Sequence, residues 1–109
     1  MAYDEFLAER VRRVIGSRCG ISEKKMFGGL AFLMHGNMAC GIAGEKLMLR
    51  LGDDGAAAAM LEPHVGPMDF TGRPIRTMAF VEAGGLERDK DLEGWVGKAL
   101  DFARALPKK

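Results

Sequence analysis

Two short glycine turns interrupt an apolar stretch in the middle of the chain, and they restrict its fold more than any other feature. Gly36-Asn37 and Gly44-Glu45 are two-residue Gly-X loops of the kind that closes a type II′ hairpin. Their spacing predicts a three-stranded antiparallel meander over 26–35, 38–43 and 46–51. With the turns in those places His35 faces Met38, Leu33 faces Cys40, Ile42 faces Leu47 and Cys40 faces Leu49. Strand side chains alternate between the two faces of a sheet. Ala31, Leu33, His35, Met38, Cys40, Ile42, Leu47, Leu49 and Leu51 therefore fall on one nearly all-apolar face, which is expected to be the core. The opposite face carries Leu30, Phe32, Met34, Ala39, Gly41, Ala43, Lys46, Met48 and Arg50, apolar in the middle and basic along one edge. Leaving a Phe or Met in water forgoes roughly 1.5–3 kcal/mol each, so this second face should also be covered. A wrapped helix or the twist of the sheet could cover it from within. Leu30, Phe32, Met34, Lys46, Met48 and Arg50 are otherwise the candidate partner-binding face, for a second copy of the chain or for another protein.

Helical patterns flank the meander. Phe6, Leu7, Val11, Val14 and Ile15 form one stripe between Asp4 and Gly16, with acidic residues leading and arginines following, as the helix dipole favours. Asp53-Asp54 and an alanine run predict a short helix over 55–62, stopped by Pro63. A second hairpin is expected from 67–71 and 76–82 around Thr71-Gly72-Arg73-Pro74. Leu92, Trp95, Val96, Ala99, Leu100, Phe102, Ala103 and Leu106 recur at helical spacing after Asp89, and Pro107 ends that run. The order is α-β-β-β-α-β-β-α, an α+β fold. With 109 residues, 48% hydrophobic and 28% charged, the chain has the make-up of one globular domain over 1–109.

The residues point to few chemistries. Net charge is +1, too small a field to draw a polyanion. Basic residues do gather locally, and Lys24 and Lys25 with Arg73 and Arg76 form a candidate patch. Nucleic acid is thus the alternative to a protein partner, although phosphate binding usually needs a more basic domain. His35, His64, Cys19 and Cys40 are the soft metal ligands, and no two have the spacing of a zinc knuckle, so no metal is expected. Ser17, Ser22, Thr71 and Thr77 have no histidine close in sequence to serve as base. Asp53-Asp54 and Asp89/Asp91 fall at helix starts, where capping accounts for them. Gly28-Gly29 lacks the pattern of a phosphate-binding loop. No catalytic residue and no cofactor is assigned. Cys19 and Cys40 form no C-x-x-C pair and are expected to be buried, reduced thiols. Asp4, Glu5 and Glu9 occupy the place where a secretion signal would be basic and then apolar, and no run is long enough to span a membrane. The expectation is a cytoplasmic protein.

Lys24-Lys25-Met26-Phe27-Gly28-Gly29-Leu30-Ala31-Phe32, followed by Gly36-Asn37-Met38, resembles the signature of the TfoX N-terminal domain family. Pro67-Met68-Asp69-Phe70-Thr71-Gly72-Arg73-Pro74 is similar to its second signature, and the closing Trp95-Val96, Ala99-Leu100 and Phe102-Ala103-Arg104 also match. The likeness runs from Tyr3 to the end. It implies an α-β(3)-α-β(2)-α fold of the secretion-chaperone-like type. It also implies a regulatory role, because the named members regulate natural competence by assisting a transcription activator. No catalytic residues are attributed to this domain. Those regulators carry a further C-terminal helical domain, and the chain is expected to be a stand-alone copy of the N-terminal one.

Overall fold

Helices form where an apolar stripe and end signals coincide. The computed structural model describes residues 3–16, 20–26, 28–69 and 74–107, and its first helix, α1, spans Glu5–Ile15. The Asp4 carboxylate accepts from the Phe6 and Leu7 amides at 2.9 and 3.2 Å, which satisfies two of the free N–H groups at the helix start. Leu7, Ala8, Val11 and Ile15 are buried. Phe6, expected on the same stripe, points outward and is 70% exposed.

Four antiparallel strands follow: β1 (Ile21–Met26), β2 (Gly29–Met34), β3 (Asn37–Ala43) and β4 (Lys46–Arg50). This is one strand more than the two glycine turns predict. The backbone turns at Gly28, φ 75°, and the polar segment before it pairs back onto β2. β1 has almost no apolar pattern because it is an exposed edge strand, so periodicity could not reveal it. Next come α2 (Gly52–Ala59), β5 (Val65–Asp69), β6 (Pro74–Val81), a 3-10 turn (Ala83–Gly85) and α3 (Asp89–Arg104). α2 begins three residues before the expected 55–62, with Asp53 and Asp54 inside its first turn. The sheet order is β1-β2-β3-β4-β6-β5, so the second hairpin joins the meander through β4 and β6.

All three helices lie on one side of the sheet. Val11 of α1, Ala56 and Ala59 of α2, and Leu92, Val96 and Leu100 of α3 share one buried cluster with Leu30, Phe32, Cys40, Ile42, Leu47, Leu49 and Val81. Two polar side chains fasten the helical layer. Arg10 donates to the Leu86 carbonyl at 2.6 Å and to the Asp89 carboxylate at 3.2 Å, tying α1 to the start of α3. Buried Asn37 donates to the Pro107 carbonyl at 2.8 Å, tying the β2–β3 turn to the end of α3.

The register corrects the expected faces throughout β2 and at the start of β3. Ile42 pairs with Leu47 and Cys40 with Leu49, as the Gly44-Glu45 turn requires. The other turn is His35-Gly36, one residue earlier than expected, with φ of 51° and 84° as a type I′ turn demands. Met34 therefore pairs with Asn37 and Leu33 with Met38, and a bulge at Ala39 restores the register so that Phe32 pairs with Cys40. A shift of one residue moves every side chain of a strand to the other face. Leu30, Phe32 and Met34 are consequently in the core, and Ala31, Leu33 and Met38 are outside it. The physical reason is plain: this register buries a Phe and a Met, where the expected one would have buried an Ala and an imidazole.

Candidate functional site

The sheet face opposite the helices is where the structure leaves apolar residues without a second layer. By register it carries Leu33 on β2, Met38 on β3, Lys46 and Met48 on β4, and Met78 and Phe80 on β6. Among the described residues α2 borders this face at Met78 and Arg76, and no helical residue joins the cluster around Met48 and Met78. Met48 and Met78 form a small buried cluster with Met38, Ala43 and Phe80 around them. Phe80 reaches over Gly66 of β5, where a Cβ would come within 2.7 Å of the end of the ring. The Lys46 ammonium sits 4.2 Å from the Phe80 ring centroid, so its apolar stem and charge cap one end of the strip. The sheet thus closes the middle of this face with its own side chains, which is neither the wrapped helix nor the edge-folding twist expected from the sequence.

The six residues proposed from sequence as one surface are divided by the fold. Lys46 and Met48 are on the helix-free face. Leu30, Phe32 and Met34 are buried under the helices and cannot meet a partner. Arg50 holds an outward register position opposite Met78, yet its guanidinium reaches round to 5.8 Å from the Phe102 ring of α3. Met38, Met78 and Phe80 were missed as a group. Finding them needed the β4–β6 pairing, which joins segments far apart in sequence, and the bulge at Ala39, which no local pattern marks.

The candidate basic patch is likewise divided. Lys24 and Lys25 are on β1 at one edge of the sheet, whereas Arg76 is on β6 four strands away, about 19 Å at the usual strand spacing. Arg73 lies outside the described residues, as does Cys19. Lysines on an exposed edge strand oppose pairing with another chain, and Pro67 on β5 interrupts the other edge in the same way.

Several charged groups elsewhere are engaged structurally. Arg12 of α1 grips both carboxylate oxygens of Glu23 on β1 at 2.8 Å and also bonds Glu9. Hydrogen bonding to Arg12 holds the Glu23 carboxyl below the usual range, and the same contacts hold the guanidinium proton more firmly. Cys40 is fully buried, and desolvation pushes its thiol up to about 12. A cleft of about 370 Å³ lies between His64, Glu62 and Gly84 on one side and Glu87, Asp91 and Trp95 on the other. Its Arg88 is paired with Asp91 at 3.0 Å. Among the described residues no three His, Cys, Asp or Glu side chains gather to hold an ion, and no helix is long and apolar enough to cross a membrane.

The TfoX N-terminal domain family matches residues 15–103, a span that takes in every strand, α2 and nearly all of α3. No curated protein and no solved structure matches the chain.

Proposed function

The chain belongs to the TfoX N-terminal domain family, and from that premise we propose that it is a regulatory module without catalysis of its own, acting in the cytoplasm by binding another protein. The observation that carries this is the helix-free sheet face with its strip of Met38, Met48, Met78 and Phe80. Methionine side chains repack readily around what they meet, and Met38 and Phe80 at the rim of this strip are only partly buried, which suits an interaction module. Lys24 and Lys25 stand four strands from Arg76, which favours a protein over a nucleic acid as the partner. The test compares three forms of the chain as bait in cytoplasm treated with nuclease: the native one, Met38→Glu on the strip, and Arg13→Glu on the exposed side of α1. One stoichiometric protein retained by the native form and by Arg13→Glu, but lost with Met38→Glu, is the expected result. Capture that disappears with nuclease, or that Met38→Glu leaves intact, would count against binding at this face.

A further inference from the structure

The apolar strip does not end at the sheet. Met78 also lines a cleft of about 280 Å³ between α2 and the β5–β6 hairpin, walled by Ala56, Ala57, Met60 and Pro67, with Asp53 and Arg76 at its mouth. A cavity of this size admits a leucine or phenylalanine side chain, and a single anchor seated in such a pocket commonly dominates an interface. The charges around the strip and cleft are mainly basic. Lys46 caps the far end, and Arg76 is 85% exposed with its contact to Asp53 stretched to 3.9 Å. That leaves the guanidinium free to form a closer pair with a second carboxylate.

We infer that the cleft and strip together seat an acidic amphipathic segment of a partner protein, with an apolar anchor beside Met78 and carboxylates against Arg76 and Lys46. The inference rests on the interaction role proposed above and says what kind of partner fills it. A second copy of the chain fits less well. Two copies meeting at this face would bring together Lys46 and Arg76 from each against only the two Asp53 carboxylates of the clefts, an excess of positive charge that an acidic segment relieves. Met48 is only 1% exposed and Met78 8%, so the strip adds little apolar area toward the roughly 800 Å² that each partner contributes to a standard interface between folded proteins. One inserted segment needs much less.

The probe is a synthetic amphipathic peptide of about four helical turns, with leucines on one face and glutamates on the other. Its twin carries lysines in place of the glutamates. The glutamate peptide is expected to bind the full chain about tenfold or more tightly than the lysine twin, with the difference shrinking as salt is raised. Arg76→Glu should erase that preference. Ala57→Trp, at an exposed helix position, should block the cleft and abolish binding while the melting curve stays close to native. Equal affinity for the two peptides, no binding of the glutamate peptide, or undiminished binding to Ala57→Trp would overturn the inference. If the peptide fails while a partner is still captured through Met38, this inference alone falls. If Met38→Glu leaves capture intact, the underlying role falls with it.

Discussion

Cys40 and Phe32 face each other across β3 and β2, and neither exposes any surface. A thiolate at that place would have no partner and no water, which is why burial pushes the Cys40 thiol up to about 12. An unfolded cysteine titrates near 8.5, so between those two values the unfolded chain gives up a proton that the folded chain keeps. The sign follows. The contribution of the neutral thiol is fully present below about pH 8.5 and declines as pH rises toward 12. Native protein should therefore leave Cys40 unmodified by a maleimide at pH 8, with labelling appearing only as denaturant unfolds the chain. Mass mapping of the labelled site separates Cys40 from Cys19. Denaturation midpoints should also fall between pH 8.5 and higher pH more steeply than those of Cys40→Ser, whose own midpoint is lowered throughout by the altered core. Rapid labelling of native Cys40 would mean that the core face of β3 opens to solvent.

At the scale of the element, α3 is the helix with most to gain. Gly94 and Gly97 stand in its interior, and a Cβ built at either meets nothing within 4 Å. Glycine in a helix interior costs about 0.5–1 kcal/mol relative to alanine, mostly through the freedom of the unfolded chain. Gly94→Ala and Gly97→Ala should each raise stability by about that amount, and together should lift the melting temperature by several degrees. Unchanged or lowered midpoints would show that something packs closely on that side of α3. α3 was legible in the sequence because stripe and stop agree over many residues, with Leu92, Val96, Ala99, Leu100 and Ala103 all buried as their spacing requires. The expected Asp89 cap instead lies inside the first turn, and Arg88 holds the N-cap position without a side-chain bond. The β3–β4 hairpin was legible for a similar reason, since Gly44 takes a φ of 59° at the turn position expected of it. β1 was not, because an edge strand needs no apolar alternation. The faces of β2 were misassigned because Gly36 fits two turns one residue apart, and only tertiary packing chooses between them. That choice also decided the candidate site, moving Leu30, Phe32 and Met34 inward and leaving Met38 outside.

For the whole molecule the consequence is an asymmetry between two faces of one sheet. Three helices cover one face, and the other is closed mainly by its own side chains, with α2 bordering it at Met78. Two phenylalanines report on the two sides. Phe32 is wholly buried beneath the helical layer, whereas Phe80 is half-buried over Gly66 with Lys46 above it. Truncating a buried Phe leaves a cavity and costs about 3–5 kcal/mol, a large share of the stability of a domain this size. Truncating a partly exposed one loses area without opening an enclosed cavity, about 1–2 kcal/mol. Phe32→Ala should accordingly lower the denaturation midpoint far more than Phe80→Ala. The aspartate versions should separate the faces more sharply. A charge at Phe32 has no water and no counter-ion, so that chain should fail to fold. A charge at Phe80 can turn to solvent beside the Lys46 ammonium, so that chain should unfold cooperatively and sediment as a monomer of native shape. If Phe80→Asp collapses as Phe32→Asp does, the strip of Met38, Met48 and Met78 is a second core rather than a surface. A partner could then reach it only by opening the sheet, and hydrogen exchange in β4 and β6 would be as slow as in β3.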